Sequence, residues 1–234
     1  MLRKRVQLGL IHVAVAMTLV PINSTLNRVM IKELAISATL VALLASLPYL
    51  FSPIQVAIGS FSDRNPVFGY RRSPYILLGL SLCVVGMLLA PQAAFLLAEN
   101  FWAGIALGVV AFGAWGMGFN FATVSYLSLA SELSGEKGRS RTIAIMWFMM
   151  ISSIIFTAIL LSQMVDPYTP QAMLRAFWVT GSFALFLGLA GLIKLEPRFT
   201  ADKTSDSEQH SWRSLAEAIL ENRQATIFFW YLII

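Results

Sequence analysis

One short stretch of this chain gathers chemistry that apolar residues cannot supply. Gly59-Ser-Phe-Ser-Asp63-Arg64-Asn-Pro-Val-Phe-Gly69-Tyr-Arg71-Arg72 sets a carboxylate beside three guanidinium groups and brackets them with two glycines. Guanidinium and carboxylate groups form charge-assisted, often bidentate, hydrogen bonds. A cluster of this kind can latch helix ends in one state and release them in another. Gly59 permits close packing, and Asp63 marks the end of an apolar run. A plainer reading also stands: basic residues next to apolar segments anchor membrane topology.

His12 is the other chemically capable residue inside an apolar stretch. A neutral imidazole can ligate a metal. The competing role is a hydrogen bond to a neighbouring helix. Asn23, Gln55, Asn120 and Gln163 are also embedded in apolar surroundings. They could line a cavity or join helices to one another. No nucleophile–base pair, metal-ligand cluster or phosphate loop is apparent, so no catalysis is expected.

The elements that must position these residues follow from where charge is missing. Residues 6–27, 34–62, 73–98, 100–131, 142–165, 176–193 and 224–234 hold no Asp, Glu, Lys or Arg. Hydrophobic residues make up 57% of the chain and charged ones 12%, outside the soluble globular range. A hydrocarbon core about 30 Å thick takes roughly 20 helical residues to cross, and an isolated apolar run can satisfy its backbone there only as a helix. The pattern predicts spans over Val6–Leu26, Ala35–Ser62, Pro74–Pro91, Phe101–Ser131, Thr142–Val165 and Ala176–Ile193, with lipid as the surrounding medium. The connections predicted opposite the N-terminus are Arg28–Leu34, Gln92–Asn100 and Asp166–Arg175.

With those spans, every basic residue except Arg28, Lys32 and Arg175 falls on the side of the N-terminus, which places that side in the cytoplasm. The net charge of +5 is then a topology signal and not a nucleic-acid footprint. Cys83 is the only cysteine, so no disulfide can form within the chain. Ala14-Val15-Ala16 resembles a signal-peptidase site, but the apolar run continues past it. Gly104 and Gly108 have the spacing of a close helix–helix seam. Pro21, Pro48 and Pro53 can kink their helices, with or without functional consequence.

The organisation read from this pattern is a membrane domain over 1–193, a linker over 194–223 and the start of a seventh helix over 224–234. Trp212, Leu215, Ala216, Ile219 and Leu220 mark an amphipathic surface helix in the linker. Eleven apolar residues are about half a span, so the pattern predicts a continuation beyond Ile234.

Six helices, a long loop and a seventh helix resemble the major facilitator superfamily, whose transporters join two six-helix halves. The fold expected is therefore all-α, the N-terminal six-helix half of that architecture. The 59–72 stretch resembles the superfamily's helix two–three motif, with a longer turn. That turn, the segment Leu26–Leu34 with Asn27, Arg28 and Glu33, and the Glu132–Arg141 loop running into Trp147 resemble one branch, the PucC/LhaA or bacteriochlorophyll-delivery group. The resemblance implies a role in phototroph membranes, thylakoid or intracytoplasmic. There the chain would help (bacterio)chlorophyll reach light-harvesting or photosystem subunits, without catalysis. The alternatives are a secondary transporter of a small solute and a purely structural scaffold. Against proton coupling, all 12 acidic residues lie outside the spans.

Overall fold

The computed structural model describes residues 2–50, 58–59, 61–62 and 65–198. Its helices are α1 (Leu2–Met17), α2 (Asn27–Lys32), α3 (Ala38–Leu50), α4 (Ser73–Glu99), α5 (Phe101–Val165) and α6 (Pro170–Leu192). A π-helical turn, Pro21–Leu26, joins α1 to α2, so that one continuous apolar segment runs from Leu2 to Lys32. Pro21 has no N–H to donate, and widening the turn is one way a helix absorbs that loss. Among the described residues, four helices are long and apolar enough to cross a bilayer, with α3 as a shorter apolar helix. The described part is almost wholly helical, and the protein is an integral membrane protein. The amphipathic segment and the final apolar run predicted beyond residue 198 lie outside the described residues.

Several predicted connections are shorter than the charge pattern suggested. Arg28 does not end the first helical segment, which continues to Lys32, because long basic side chains can reach out of the interface. The predicted loop Gln92–Asn100 shrinks to Asn100 alone. Its N–H closes α4 on Leu96 O at 2.7 Å while its side chain caps α5 by accepting from Ala103 N at 3.2 Å. Pro91 lies inside α4 without ending it, since a chain in lipid has no other way to pair its backbone. At the next turn Thr169 caps α6 through its hydroxyl, 3.0 Å from Ala172 N, and Pro170 occupies the first turn.

The largest difference concerns α5, where a loop was expected over Glu132–Arg141. That region is helical except at Gly135, with φ 60 and ψ 173. A straight helix of this length would extend about 98 Å, far more than a bilayer. One left-handed glycine folds it instead. The ring of His12 lies 5.1 Å from Tyr126 before the break and 5.7 Å from Trp147 after it, so the two arms lie side by side.

Neighbouring segments run antiparallel. Gly79, Gly86 and Gly118 are placed where any added Cβ would collide with backbone of the facing helix: Gly79 with Ala122, Gly86 with Trp115 and Gly118 with Cys83. This descending register pairs α4 with the first arm of α5. Gly104 presses on Leu97 in the same seam, whereas Gly108 and Gly116 face Leu44 and Pro48 of α3. The small residues of the first arm therefore serve two seams and not one. In lipid, helices gain little from hiding apolar surface, and close backbone approach supplies the packing.

Among the described residues, the two larger clusters of buried side chains are stacked. One, with Leu8, Ile11, Ile76, Leu80, Leu129 and Met146, lies toward the face bearing the N-terminus. The other, with Met30, Leu44, Met87, Phe112 and Phe177, lies toward the opposite face. Between them Trp115 Nε1 donates to Thr18 Oγ1 at 3.0 Å, tying α5 to the first helix where no water could serve either group.

Candidate functional site

The polar residues of the N-terminal face converge on the start of α4. The chain enters it through a tight turn in which Val67 and Tyr70 exchange backbone hydrogen bonds of 2.9 and 3.0 Å. Phe68 and Gly69 both have positive φ, 53 and 78, as a two-residue hairpin turn of this type demands. This gives Gly69 a conformational role and leaves Phe68 91% exposed at the tip. Tyr75 ties the turn back by donating to Asn65 O at 2.7 Å.

The first N–H groups of α4 have no acceptor within the helix. Glu196, more than 120 residues later, provides one. Its carboxylate accepts from Arg71 N at 2.8 Å, Arg72 N at 3.0 Å, Ser73 N at 2.7 Å and the Ser73 hydroxyl at 2.7 Å. A carboxylate here also faces the positive end of the helix dipole. The approach is set by the end of α6. Lys194 turns through a left-handed conformation (φ 52) and Leu195 is buried, which swings Glu196 onto α4.

Arg72 is only 5% exposed. Its guanidinium donates to Ser62 Oγ at 2.8 Å and forms an ion pair with Glu132 at 3.1 Å. Ser62, the start of α4 and the first arm of α5 thus meet at one side chain. Nearby, Arg5 donates to Thr142 Oγ1 at 3.1 Å and Gln7 Nε2 to Ile193 O at 2.8 Å. Of the residues predicted for this cluster, Arg71 contributes its N–H and Arg72 its whole side chain, while Gly59 sits 3.5 Å from Val124 by its potential Cβ. Asp63 and Arg64 lie outside the described residues. Glu196 and Ser62 were not singled out from sequence, because nothing local marks a partner so far along the chain.

The other predicted residues do not form one site. His12 is buried between Tyr126 and Trp147, and its Nδ1 has no hydrogen-bond partner among the described residues. The expected interhelical hydrogen bond is therefore not made there, and ring packing takes its place. A metal such as a pigment's magnesium would meet a ring nitrogen in the plane of the imidazole and not one of its faces. Asn120 behaves as a joint between helices, its Nδ2 lying 3.5 Å from Pro48 O. Asn23 and Gln163 are exposed, and Gln55 lies outside the described residues.

At the opposite face a cavity of about 200 Å³ lies beside the π-helical turn. Ser24, Thr25, Arg28, Glu33, Ser162 and Tyr168 supply its polar lining. The hydroxyl of Tyr168 is shielded from solvent and has no hydrogen-bond partner among the described residues. Burial and then the nearby charge of Glu33 raise its pKa above the usual tyrosine value. Two open apolar grooves of about 600 and 630 Å³ lie on the lipid-facing sides of α6. The first is lined by Phe156, Trp178, Phe183 and Phe186, the second by Phe68, Tyr70 and Leu189.

A family model described as PUCC protein matches residues 25–234. The chain is 33% identical over 205 residues to Protein PucC of Cereibacter sphaeroides, covering 84% of this chain and 45% of that protein. It is 30% identical over 226 residues to a protein from the puhA-bchM intergenic region of Rhodobacter capsulatus, covering 92% and 47%. A third relative, the bacteriochlorophyll synthase 44.5 kDa chain of Rhodobacter capsulatus, is 28% identical over 227 residues, covering 97% and 52%. The chain spans about half the length of these curated relatives. No solved structure matches it.

Proposed function

The chain belongs to the PUCC protein family, and on that premise we propose that it acts in the assembly of photosynthetic complexes by holding or delivering bacteriochlorophyll or chlorophyll. The observation that carries this reading is the family match over most of the chain. A relative whose name refers to bacteriochlorophyll synthase supports the pigment class. The two apolar grooves on α6 offer flat, aromatic-lined surfaces of ligand-pocket size. Under this reading the pigment is cargo held by apolar contact and His12 is a packing residue. The chain carries no catalytic step. Under this reading the N-terminal face, which carries the excess of basic residues, lies in the cytoplasm, and the chain forms one half of a major-facilitator architecture.

The test is purification of the full-length protein from a phototrophic host in mild detergent. Pigment and antenna or photosystem subunits are expected to co-elute, and elution with neither would refute the reading. A second reading, a secondary transporter, draws support from the way Arg72 joins Ser62, the start of α4 and the first arm of α5, as a releasable latch would. Uptake of a defined solute into vesicles, abolished by Asp63→Asn, would favour it.

A further inference from the structure

Two segments far apart in sequence bring one sign of charge to a single corner of the face bearing the N-terminus. Arg5 Nε donates to Thr142 Oγ1 at 3.1 Å, and Nη2 of the same guanidinium lies 3.2 Å from where a Cβ on Gly138 would stand. The start of α1 is thereby held against the opening turns of the second arm of α5, so that Arg3, Lys4 and Arg5 share this corner with Lys137, Arg139 and Arg141. Nearby carboxylates do not balance them. Glu132 is paired with Arg72 and Glu196 is spent on α4, which among the described residues leaves Glu136 at the corner against six cations. Like charges so crowded repel one another. Setting topology needs no such crowding, because it depends on the basic residues of a whole face.

The second arm of α5 shows what lies beneath these cations. Lys137, Arg141, Ala144, Phe148 and Ile151 follow at alternating steps of four and three, one line down the helix, and all five are exposed. The adjacent line, with Gly138, Thr142 and Met149, is the one that packs on α1 through Arg5 and Gly9. The exposed line thus reads cation, small residue, apolar side chain, which is the order of a phospholipid from head group to acyl chain. We infer that this corner binds an anionic phospholipid, such as phosphatidylglycerol, from the leaflet on the N-terminal side. Its phosphate accepts hydrogen bonds from Arg5, Lys137 and Arg141, and one acyl chain lies along Phe148 and Ile151. The fork of an arginine suits phosphate oxygens, while Arg3, Lys4 and Arg139 add to the attraction for an anionic surface. A zwitterionic lipid brings a cation of its own to the corner and gains little. The inference rests on the chain's placement in a membrane and stands independently of the pigment reading.

The full-length protein, delipidated in detergent, is titrated with dioleoylphosphatidylglycerol, dioleoylphosphatidylethanolamine, glycerol 1-phosphate and a polyglutamate peptide, and bound ligand is counted by native mass spectrometry. Phosphatidylglycerol is expected to bind at one saturable site, about tenfold tighter than phosphatidylethanolamine and tighter than glycerol 1-phosphate by at least as much. Lys137→Gln combined with Arg141→Gln removes two exposed side chains and is expected to abolish that preference at an unchanged thermal midpoint. Arg28→Gln combined with Lys32→Gln subtracts the same charge at the opposite face and is expected to preserve it. Equal binding of the two lipids by the unmodified protein would overturn the inference without recourse to any variant. A preference lowered alike by both double variants would overturn it too, since net charge and not this corner would set it. Glycerol 1-phosphate binding as tightly as the lipid would assign the corner to soluble phosphates, and polyglutamate binding in place of lipid would assign it to an acidic protein. Either result refutes a lipid site.

Discussion

At the N-terminal face, Glu196 accepts from three successive N–H groups and Arg72 is held between Ser62 and Glu132. At the opposite face, Arg28, Glu33 and Tyr168 border a cavity without bonding to one another. The first set joins segments 10 to 125 residues apart in sequence and leaves its charges partnered. The second leaves an arginine, a carboxylate and a phenol around a space. Partnered buried charge fixes relative positions, because removing one member strands the other. Polar groups that bond to nothing add no such link between segments. The comparison separates a clamp of partnered groups from a set that stays apart, and mutations at the two faces should behave differently.

Arg72→Met should produce the largest effect. It strips a donor from Ser62 and the counter-charge from Glu132, at a cost of about 3 kcal/mol. Glu132 is 50% exposed, so water recovers part of its loss and the deficit falls mainly on the buried side. Thermal unfolding of the full-length protein in detergent would show a markedly lower midpoint. If Arg72→Met unfolds with the unmodified protein, the network is ornamental and the contrast between the faces fails. Next in size is Glu196→Ala, which leaves the first N–H groups of α4 without their acceptor at a cost of about 2 kcal/mol. Glu196→Gln keeps an acceptor oxygen but not the charge, and should lose about half as much. An equal loss for the two variants would mean that the charge facing the helix end contributes nothing.

The other face predicts the opposite result. Tyr168→Phe removes a hydroxyl that bonds to nothing among the described residues, so stability should change by less than about 0.5 kcal/mol. The same midpoint measurement checks it. A loss comparable to that of Glu196→Ala would show a bonded hydroxyl and erase the difference between the two ends.

What the sequence revealed, and what it hid, follows the same division. The apolar segments were legible because lipid excludes charge over whole stretches, a constraint that each segment shows by itself. Their ends were less so. Arg28 and Lys32 look like a loop but are helical, since a long cation near an interface can escape the bilayer sideways. Gly135 looks like one loop residue among several, yet it alone breaks α5. In the clamp, Arg71 and Arg72 stood out as charge beside an apolar run, while Glu196 did not. Its role depends on Leu195 being buried and Lys194 turning left-handed, neither of which has a local sequence pattern. Asn27, Arg28 and Glu33 were recognisable as a motif, but the cavity beside them required the π-helical turn and Tyr168 from the turn between α5 and α6.

The smallest predicted effect sharpens the comparison at high pH. Tyr168 has its pKa raised above the ordinary value of 10.0 by burial, and further by Glu33. A folded-state pKa above the unfolded one means that the unfolded chain gives up this proton first. Folding stability is unaffected below about pH 10 and declines as pH rises through the folded value. Tyr168→Phe should flatten that decline in thermal midpoints measured between neutral and strongly alkaline pH, and Glu33→Gln should flatten it partly, because only the charge component is removed. No residue of the N-terminal clamp should alter this slope when substituted. An alkaline decline unchanged by Tyr168→Phe would show that the phenol is as well solvated as in the unfolded chain. The cavity would then be an open dent in the surface, with no shielded donor.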